Sequence, residues 1–257
     1  MIIDTHCHLD DTRYDEDLGE VVARAKESGV EAMIIAGANI HDLPKAAKIS
    51  QDFKGVFFAA GVHPYDIDGF DEGILREFLT HEKCVAVGEC GLDYYREVDE
   101  AQKARQLEVF RAQIELAKEF DKPLIIHIRE ANEDAFGVLN SNLTQIRGVL
   151  HCFNASPLLL GLSSKFYYGI GGVLTFKNAK KLVEILPQIP QNRLLLETDA
   201  PYLTPEPFRG TRNESARTAL VAQKMAELLN LELKEVERIT TQNAVRLFGE
   251  KLEKEIA

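Results

Sequence analysis

Residues 2–8 read IIDTHCH, a short apolar run that ends in an aspartate and two histidines, His6 and His8. Seven further apolar runs, often β-branched or aromatic, recur along the chain. Counting the first, the runs occupy residues 1–4, 32–37, 55–61, 84–88, 123–127, 148–151, 166–171 and 193–197. Short runs that are continuously apolar are typical of strands buried on both faces, as in a parallel sheet. We therefore predict eight such strands.

Stretches with helical periodicity alternate with these predicted strands. They cover residues 15–29, 42–53, 71–81, 100–121, 131–142, 155–164, 177–187 and 213–229, with an extra helix at 233–248. In the longest, Leu107, Phe110 and Ile114 step by three or four residues. Eight strand–helix units in 257 residues predict one domain over residues 1–257, a closed (β/α)8 TIM barrel with an extra C-terminal helix. An open doubly wound sheet shows the same alternation, but its glycine-rich first turn is missing here.

Charge and composition exclude several classes of protein. Thirty Lys and Arg against 41 Asp and Glu give a net charge of −11, which argues against a broad duplex-binding face because such faces are basic. A small anionic substrate at a metal site stays compatible, since a bound cation can dominate the local charge. No apolar run approaches the roughly 18 residues that span a bilayer, and no signal peptide precedes Asp4. We expect a cytoplasmic protein with no membrane partner and free cysteines.

Side chains that can bind a metal follow most of the predicted strands. Five of the seven histidines do so, namely His6, His8, His63, His127 and His151. Two carboxylates, Glu89 and Asp199, follow the fourth and eighth strands in the same way. Barrel enzymes place their chemistry at this end of the strands. Each of these residues alone could instead have a structural role, as a buried histidine or as a carboxylate that caps the next helix.

Taken together, these residues favour a metal site. His6 and His8 are two apart on a strand, so their side chains point to the same face and can bind one ion. A closed barrel brings four imidazoles and two carboxylates to one mouth, a ligand set that suits Zn, Mn, Fe or Ni better than the all-oxygen shell of Ca or Mg. Six candidate ligands are enough for two ions with a bridging carboxylate. The sequence therefore predicts a metal site with enough ligands for two ions.

The order of these residues resembles that of the TatD family of metal-dependent deoxyribonucleases, a branch of the amidohydrolase superfamily. The resemblance rests on the H-x-H pair, Glu89 within VGECGLDYY (87–95), His127, His151 and Asp199. It extends to GVHP (61–64), HCF (151–153), GGVLTFKNA (171–179), ETDAPYL (197–203), RGTRNE (209–214) and ITTQNAVRLF (239–248). The chain departs from the family pattern at positions that are not expected ligands, including Cys90, and Thr211 stands where the family usually has a cation.

The resemblance implies specific roles for these residues. One divalent ion would be held by His6, His8, Glu89 and Asp199, and a second by Glu89, His127 and His151. The ions would be Zn, Mn, Mg, Fe or Ni. A water activated by them would be the nucleophile, Asp199 its general base, and Glu89 the shared ligand. The implied activity is hydrolysis of phosphodiester bonds at the ends of DNA, as a 3′–5′ exonuclease.

Four further residues are candidates for binding the substrate: His63, Arg129, Tyr202 and Arg212. For each the alternative is structural, a turn histidine, a surface arginine or a packed tyrosine. The expected partner is single-stranded or frayed DNA, and the expected state is a monomer. Two other functions stay open: hydrolysis of a small amide, lactone or ester, and a barrel that only stores metal. Cations that can bind phosphate, such as Arg129, Arg209 and Arg212, distinguish the nuclease from a hydrolase of small amides, lactones or esters.

Overall fold

A computed structural model describes residues 1–96 and 98–256, and eight parallel strands form its sheet. The strands are β1 (Ile2–Cys7), β2 (Val30–Ile35), β3 (Val56–Ala60), β4 (Cys84–Asp93), β5 (Leu124–Arg129), β6 (Gly148–Leu150), β7 (Phe166–Ile170) and β8 (Leu194–Leu196). Each pairs with the next in the sequence. The seam between β8 and β1 is bridged by the backbone, where His8 N donates to Ala200 O at 2.7 Å and Asp199 N donates to His6 O at 2.9 Å. The predicted (β/α)8 barrel is confirmed.

Nine α-helices are described around this sheet. They are α1 (Leu18–Glu27), α2 (Leu43–Asp52), α3 (Glu72–Leu79), α4 (Glu100–Glu119), α5 (Asn132–Ser141), α6 (Lys180–Ile185), α7 (Thr218–Leu229), α8 (Leu233–Phe248) and α9 (Glu250–Ile256). The longest, α4, begins with a capping box. The Asp99 carboxylate accepts from Gln102 N at 2.8 Å, and the Gln102 side chain accepts from Asp99 N at 3.0 Å. This pair satisfies two amides that have no partner within the helix.

Two predicted helices differ from the structure, and one helix was not predicted. The segment predicted as a helix at 155–164 forms only a 3-10 helix over Leu158–Leu162, because Ala155 has a positive φ of 60° and Gly161 has a low helix propensity. The helix predicted from residue 213 begins at Thr218, since the Asn213 side chain instead donates to the backbone oxygens of Thr198 and Tyr202. Helix α9 was not predicted and follows Gly249, whose φ of 102° ends α8.

The interior of the barrel is apolar, and two helices close its amino-terminal end. Inward-facing Ile3, Ile34 and Phe57 belong to one buried cluster with Leu247 of α8 and Leu252 of α9. A second, larger cluster lies between the sheet and the surrounding helices. Because the amino-terminal end is packed in this way, open space is left at the carboxyl ends of the strands. Among the described helices, none is both long and apolar enough to cross a bilayer.

Two strands carry a shift of register close to the candidate ligands. The pairing of β1 with β2 shifts between Asp4 and Cys7, and the pairing of β4 with β5 shifts between Val87 and Cys90. Shifts of this kind bend a strand and change where its side chains point. They occur where β1 carries His6 and β4 carries Glu89.

Candidate metal centre

Glu89 lies at the middle of the cluster, between two groups of histidines. Its Oε2 atom is 3.3 Å from His6 Nε2 and 3.8 Å from His8 Nε2. Its Oε1 atom is 3.0 Å from His127 Nδ1 and 3.6 Å from His151 Nε2. The two oxygens of one carboxylate therefore face two different sets of imidazoles, which is the arrangement of a bridging ligand.

The first set also contains Asp199. Its Oδ1 atom is 3.3 Å from His8 Nε2 and 3.5 Å from His6 Nε2, and the two Nε2 atoms lie 3.3 Å apart. Asp199 has a positive φ of 56°, directly after β8. Ligand atoms of His6, His8 and Asp199 all lie within 4.8 Å of one another, as do those of His6, Glu89 and His151.

The second set is oriented by two carboxylates that face the other nitrogen of each ring. Asp93 Oδ2 is 2.9 Å from His127 Nε2, so His127 can donate to Asp93 and present Nδ1 to the centre. Glu197 Oε1 is 3.2 Å from His151 Nδ1, an ion-pair distance without hydrogen-bond geometry, and His151 Nε2 faces Glu89. Glu197 is itself held by the backbone amide of Cys152, which donates to it at 2.6 Å. Carboxylate partners of this kind fix the tautomer and orientation of metal-binding histidines.

Crowding in the cluster fits a bound cation. The rings of His6 and His151 stack with centroids 3.5 Å apart, and both residues are buried. Within the described part of the chain, the buried Nδ1 atom of His6 has no hydrogen-bond partner. Imidazole nitrogens and carboxylate oxygens that converge in this way are the donors that Zn, Mn, Fe and Ni accept. The residues present therefore fit divalent metal ions.

The cluster shifts the pKa values of its members when no ion is bound. Burial alone would lower the pKa of His8, but its hydrogen bond with Asp199 and the charges of Asp199 and Glu89 raise it to about 9. For His151, burial is likewise outweighed by the charges of Glu197 and Glu89, which raise the pKa to about 10. The pKa of Glu89 is held well below its usual value, because the neighbouring histidines outweigh the effect of burial.

His63 stands beside the second set but presents a hydrogen-bond donor. Its Nδ1 atom accepts from the backbone amide of Tyr65 at 3.1 Å, so the neutral ring carries its proton on Nε2. That Nε2 atom is 3.7 Å from Glu89 Oε1. Burial lowers the pKa of His63 to about 4, which keeps the ring neutral. His63 can therefore donate a hydrogen bond into the centre.

The metal centre opens into a cavity of about 500 Å³ whose lining includes His63, Arg129 and Tyr202. The Tyr202 ring meets the edge of the His8 ring at 6.1 Å and is 48% exposed. Arg129 lies over the Tyr95 ring at 3.5 Å.

Arg212 does not line this cavity. Its guanidinium donates to the Asp17 carboxylate at 2.6 and 2.8 Å, to Glu214 at 3.0 Å and to the backbone oxygen of Arg13 at 2.6 Å. The structure thus places Arg212 in an ion-pair network and brings the other three candidate substrate residues to the mouth.

Sequence reasoning did not assign a role to Asp93 or Glu197. Both lie in motifs that could have revealed them. Asp93 follows Glu89 by four residues on a strand that runs five residues beyond its predicted end at Gly88, and Glu197 precedes Asp199 by two. The Glu197 carboxylate packs over Gly169, where a Cβ atom would come within 2.0 Å of Oε2. A glycine at this point of β7 leaves the space that the buried carboxylate needs.

Comparison with known proteins identifies the family of this chain. The family model described as TatD related DNase matches residues 3–249. The chain belongs to the TatD family of metal-dependent hydrolases. This match confirms the resemblance found in the sequence. The protein is therefore a metal-dependent hydrolase.

Relatives of this TatD protein match it over 96% of its length. It is 44% identical to YabD, an uncharacterised metal-dependent hydrolase of Bacillus subtilis, with 96% of this chain and 99% of that protein covered. It is 35% identical to a protein of Edwardsiella piscicida named a 3′-5′ ssDNA/RNA exonuclease, with 96% and 99% covered. The crystal structure of YjjV, a TatD homologue of Escherichia coli, superposes with a TM-score of 0.87 at 29% identity and covers 96% of this chain and 97% of its own.

Proposed function

We propose that this chain is a two-metal phosphodiesterase that removes nucleotides from the 3′ ends of single-stranded or frayed DNA. The observation that carries the proposal is the position of Glu89, whose two oxygens face two separate sets of histidines. Two adjacent cations suit a reaction in which charge develops on both the attacking and the leaving oxygen of a phosphodiester. The exonuclease of Edwardsiella piscicida, 35% identical, supports the choice of substrate and of direction.

The residues that would hold the ions follow from the two sets. His6, His8, Glu89 and Asp199 would hold one ion, and Glu89, His127 and His151 would hold the other, each as Zn, Mn, Mg, Fe or Ni. When bound, such ions supply Lewis acidity toward a phosphoryl oxygen and lower the pKa of water toward neutrality.

Asp199 is the best placed general base. Its side chain is 17% exposed, whereas that of Glu89 is 4% exposed and enclosed by imidazoles. Asp199 would therefore accept a proton from a water at the cavity surface, while Glu89 would be the anion shared by the ions. The pKa of Asp199 lies below its usual value, because the hydrogen bond with His8 and the charges of three histidines outweigh burial. It is thus ionised and able to accept a proton at neutral pH.

Three residues at the mouth would bind the substrate. His63 would donate its Nε2 proton to a phosphate oxygen, and the Arg129 guanidinium would pair with a phosphate. The exposed ring of Tyr202 offers a face on which a base can stack. The net charge of −11 makes a long phosphate-binding track unfavourable, so we expect a short footprint confined to the mouth.

A panel of substrates tests this function. The protein loaded with Mn²⁺ is incubated with a linear single strand, the same strand closed into a circle, and a small carboxylic ester. We expect the linear strand to be shortened and the circle to survive. Rapid cutting of the circle would contradict end trimming, and turnover of the ester alone would replace the nuclease with a hydrolase of small metabolites.

A further inference from the structure

Two cavities meet at the metal centre. The first, of about 500 Å³, contains Glu89 and Asp199, and the second, of about 620 Å³, is lined by residues 127–129, 151–155, 173 and 178–182. His127, Arg129 and His151 line both cavities. A substrate bound at the metals can therefore extend in two directions from the reacting phosphate.

The first cavity is acidic beyond its metal ligands. Asp10, Asp11, Asp42 and Asp66 line its outer wall together with Arg96, and Arg13 pairs with Asp11 at 2.7 Å, which leaves acidic side chains in excess. Asp10 is 8% exposed, and its Oδ1 atom has no hydrogen-bond partner in the described part of the chain. Burial and, after it, the charge of the neighbouring Asp42 raise the pKa of Asp66.

The second cavity has the opposite character. Lys180 and Lys181 stand exposed at its edge, Arg129 forms the side shared with the metal centre, and no carboxylate occurs among the described residues that line it. Its floor is apolar and includes Phe153 and Leu182. Cations beside an apolar surface suit a nucleotide chain, whose phosphates and bases need these two environments.

On the basis of the proposed function, we infer that this division of charge sets the direction of the strand and selects ends with a free 3′-hydroxyl. The chain on the 5′ side of the reacting phosphate lies in the basic cavity. The 3′-terminal nucleoside lies in the acidic cavity. The wall formed by Asp10, Asp11, Asp42 and Asp66 rejects an end that carries a 3′-phosphate.

The chemistry of the two ends explains this selection. A terminal nucleoside with a free hydroxyl brings no charge beyond the reacting phosphate, and its hydroxyl can donate to an exposed carboxylate of this wall. A 3′-phosphate instead brings a charge of roughly −2 at neutral pH to a wall of like charge. A strand that continued through the acidic cavity would meet the same repulsion at every further phosphate.

The first experiment compares two single strands of one sequence that end in a 3′-hydroxyl or a 3′-phosphate. With Mn²⁺-loaded protein we expect kcat/KM to be at least about tenfold lower for the 3′-phosphate at about 25 mM salt. The difference in kcat/KM between the two ends should narrow at about 500 mM salt, where charges are screened within a few ångströms.

The double variant Asp42→Asn/Asp66→Asn should reduce the ratio of the rate on the 3′-hydroxyl strand to that on the 3′-phosphate strand. Asp52→Asn/Asp68→Asn, which removes the same charge outside the cavity, should keep the wild-type ratio.

Equal rates on the two ends, or a ratio that Asp42→Asn/Asp66→Asn leaves unchanged, would overturn the inference while leaving the exonuclease intact. Failure to shorten the 3′-hydroxyl strand at all would overturn the proposed function and, with it, this inference.

A second experiment tests the basic cavity. Lys180→Gln/Lys181→Gln should lower kcat/KM several-fold on a long single strand but leave a small phosphodiester unaffected, because only the long strand reaches these lysines. Lys165→Gln, an exposed lysine that lines neither cavity, is the control. An equal loss on both substrates, or no loss on the long strand, would contradict the path through this cavity.

Discussion

Binding of the metal ions should release protons from the protein, and the amount follows from the pKa values of two ligands. In the metal-free protein the pKa of His8 is raised to about 9 and that of His151 to about 10 by neighbouring carboxylates, against the effect of burial. An imidazole must lose its proton before it can bind a cation. Protons therefore compete with the ions at both sets of ligands.

The size of this competition can be estimated at pH 7. With pKa values of about 9 and 10, neutral His8 and His151 amount to about 1% and 0.1% of the metal-free protein, so deprotonation costs about 3 and 4 kcal/mol. Below these pKa values, the affinity for each ion should rise about tenfold per pH unit.

The stability of the metal-free protein should instead fall as the pH rises. The contribution from His8 is complete below pH 6.5 and is lost as the pH rises through about 9.

Titration calorimetry with Mn²⁺ in buffers of different ionisation enthalpy measures the protons directly. We expect at least one proton released per ion at pH 7, and an affinity that rises between pH 6.5 and 8.5. Glu197→Gln removes the charge that raises the pKa of His151, so it should reduce the number of protons released. His41→Gln, at an exposed position outside the site, should match the wild type. An affinity independent of pH with no proton release would refute the assignment of His8 and His151 as ligands.

Four substitutions give further expectations. Asp199→Asn should retain most of the metal but lower kcat by about 10²–10⁴, measured as rate at matched metal content, since it removes the base; near-native turnover would show that the base lies elsewhere. Glu89→Ala should lose bound metal, measured by elemental analysis, because two cations lose their shared anion. Asp93→Asn should weaken metal affinity about 10–100-fold by releasing His127, and unchanged affinity would show that Asp93 does not orient it. Leu247→Ala should lower the free energy of unfolding by about 2–5 kcal/mol in urea denaturation while leaving the activity of the folded protein intact.

Much of the fold was predictable because a parallel barrel gives a strong signal in the sequence. Each of its strands is buried on both faces, so the apolar runs stand out and their ends mark the mouth. The metal ligands could be proposed for the same reason, since Glu89, His127 and His151 each come at or directly after such a run.

Orientation and pairing of side chains were not predictable in this way. The register shifts beside His6 and Glu89 depend on pairing between distant strands, which no local pattern reports. The roles of Asp93 and Glu197 follow from contacts across the barrel, 34 and 46 residues along the chain from the histidines that they face. Arg212 carries the charge expected of a phosphate ligand, yet Asp17, far from it in sequence, holds the guanidinium.

The most direct test of the central claim is the length of the products from a 5′-labelled single strand with a free 3′-hydroxyl. It is measured at single-nucleotide resolution for the wild type and for Asp199→Asn at equal metal content. We expect the wild type to produce a ladder that shortens from the 3′ end one nucleotide at a time, and the variant to leave the strand at full length over the same period. A full-length strand after incubation with wild-type protein that carries two ions and hydrolyses a small ester would contradict the account.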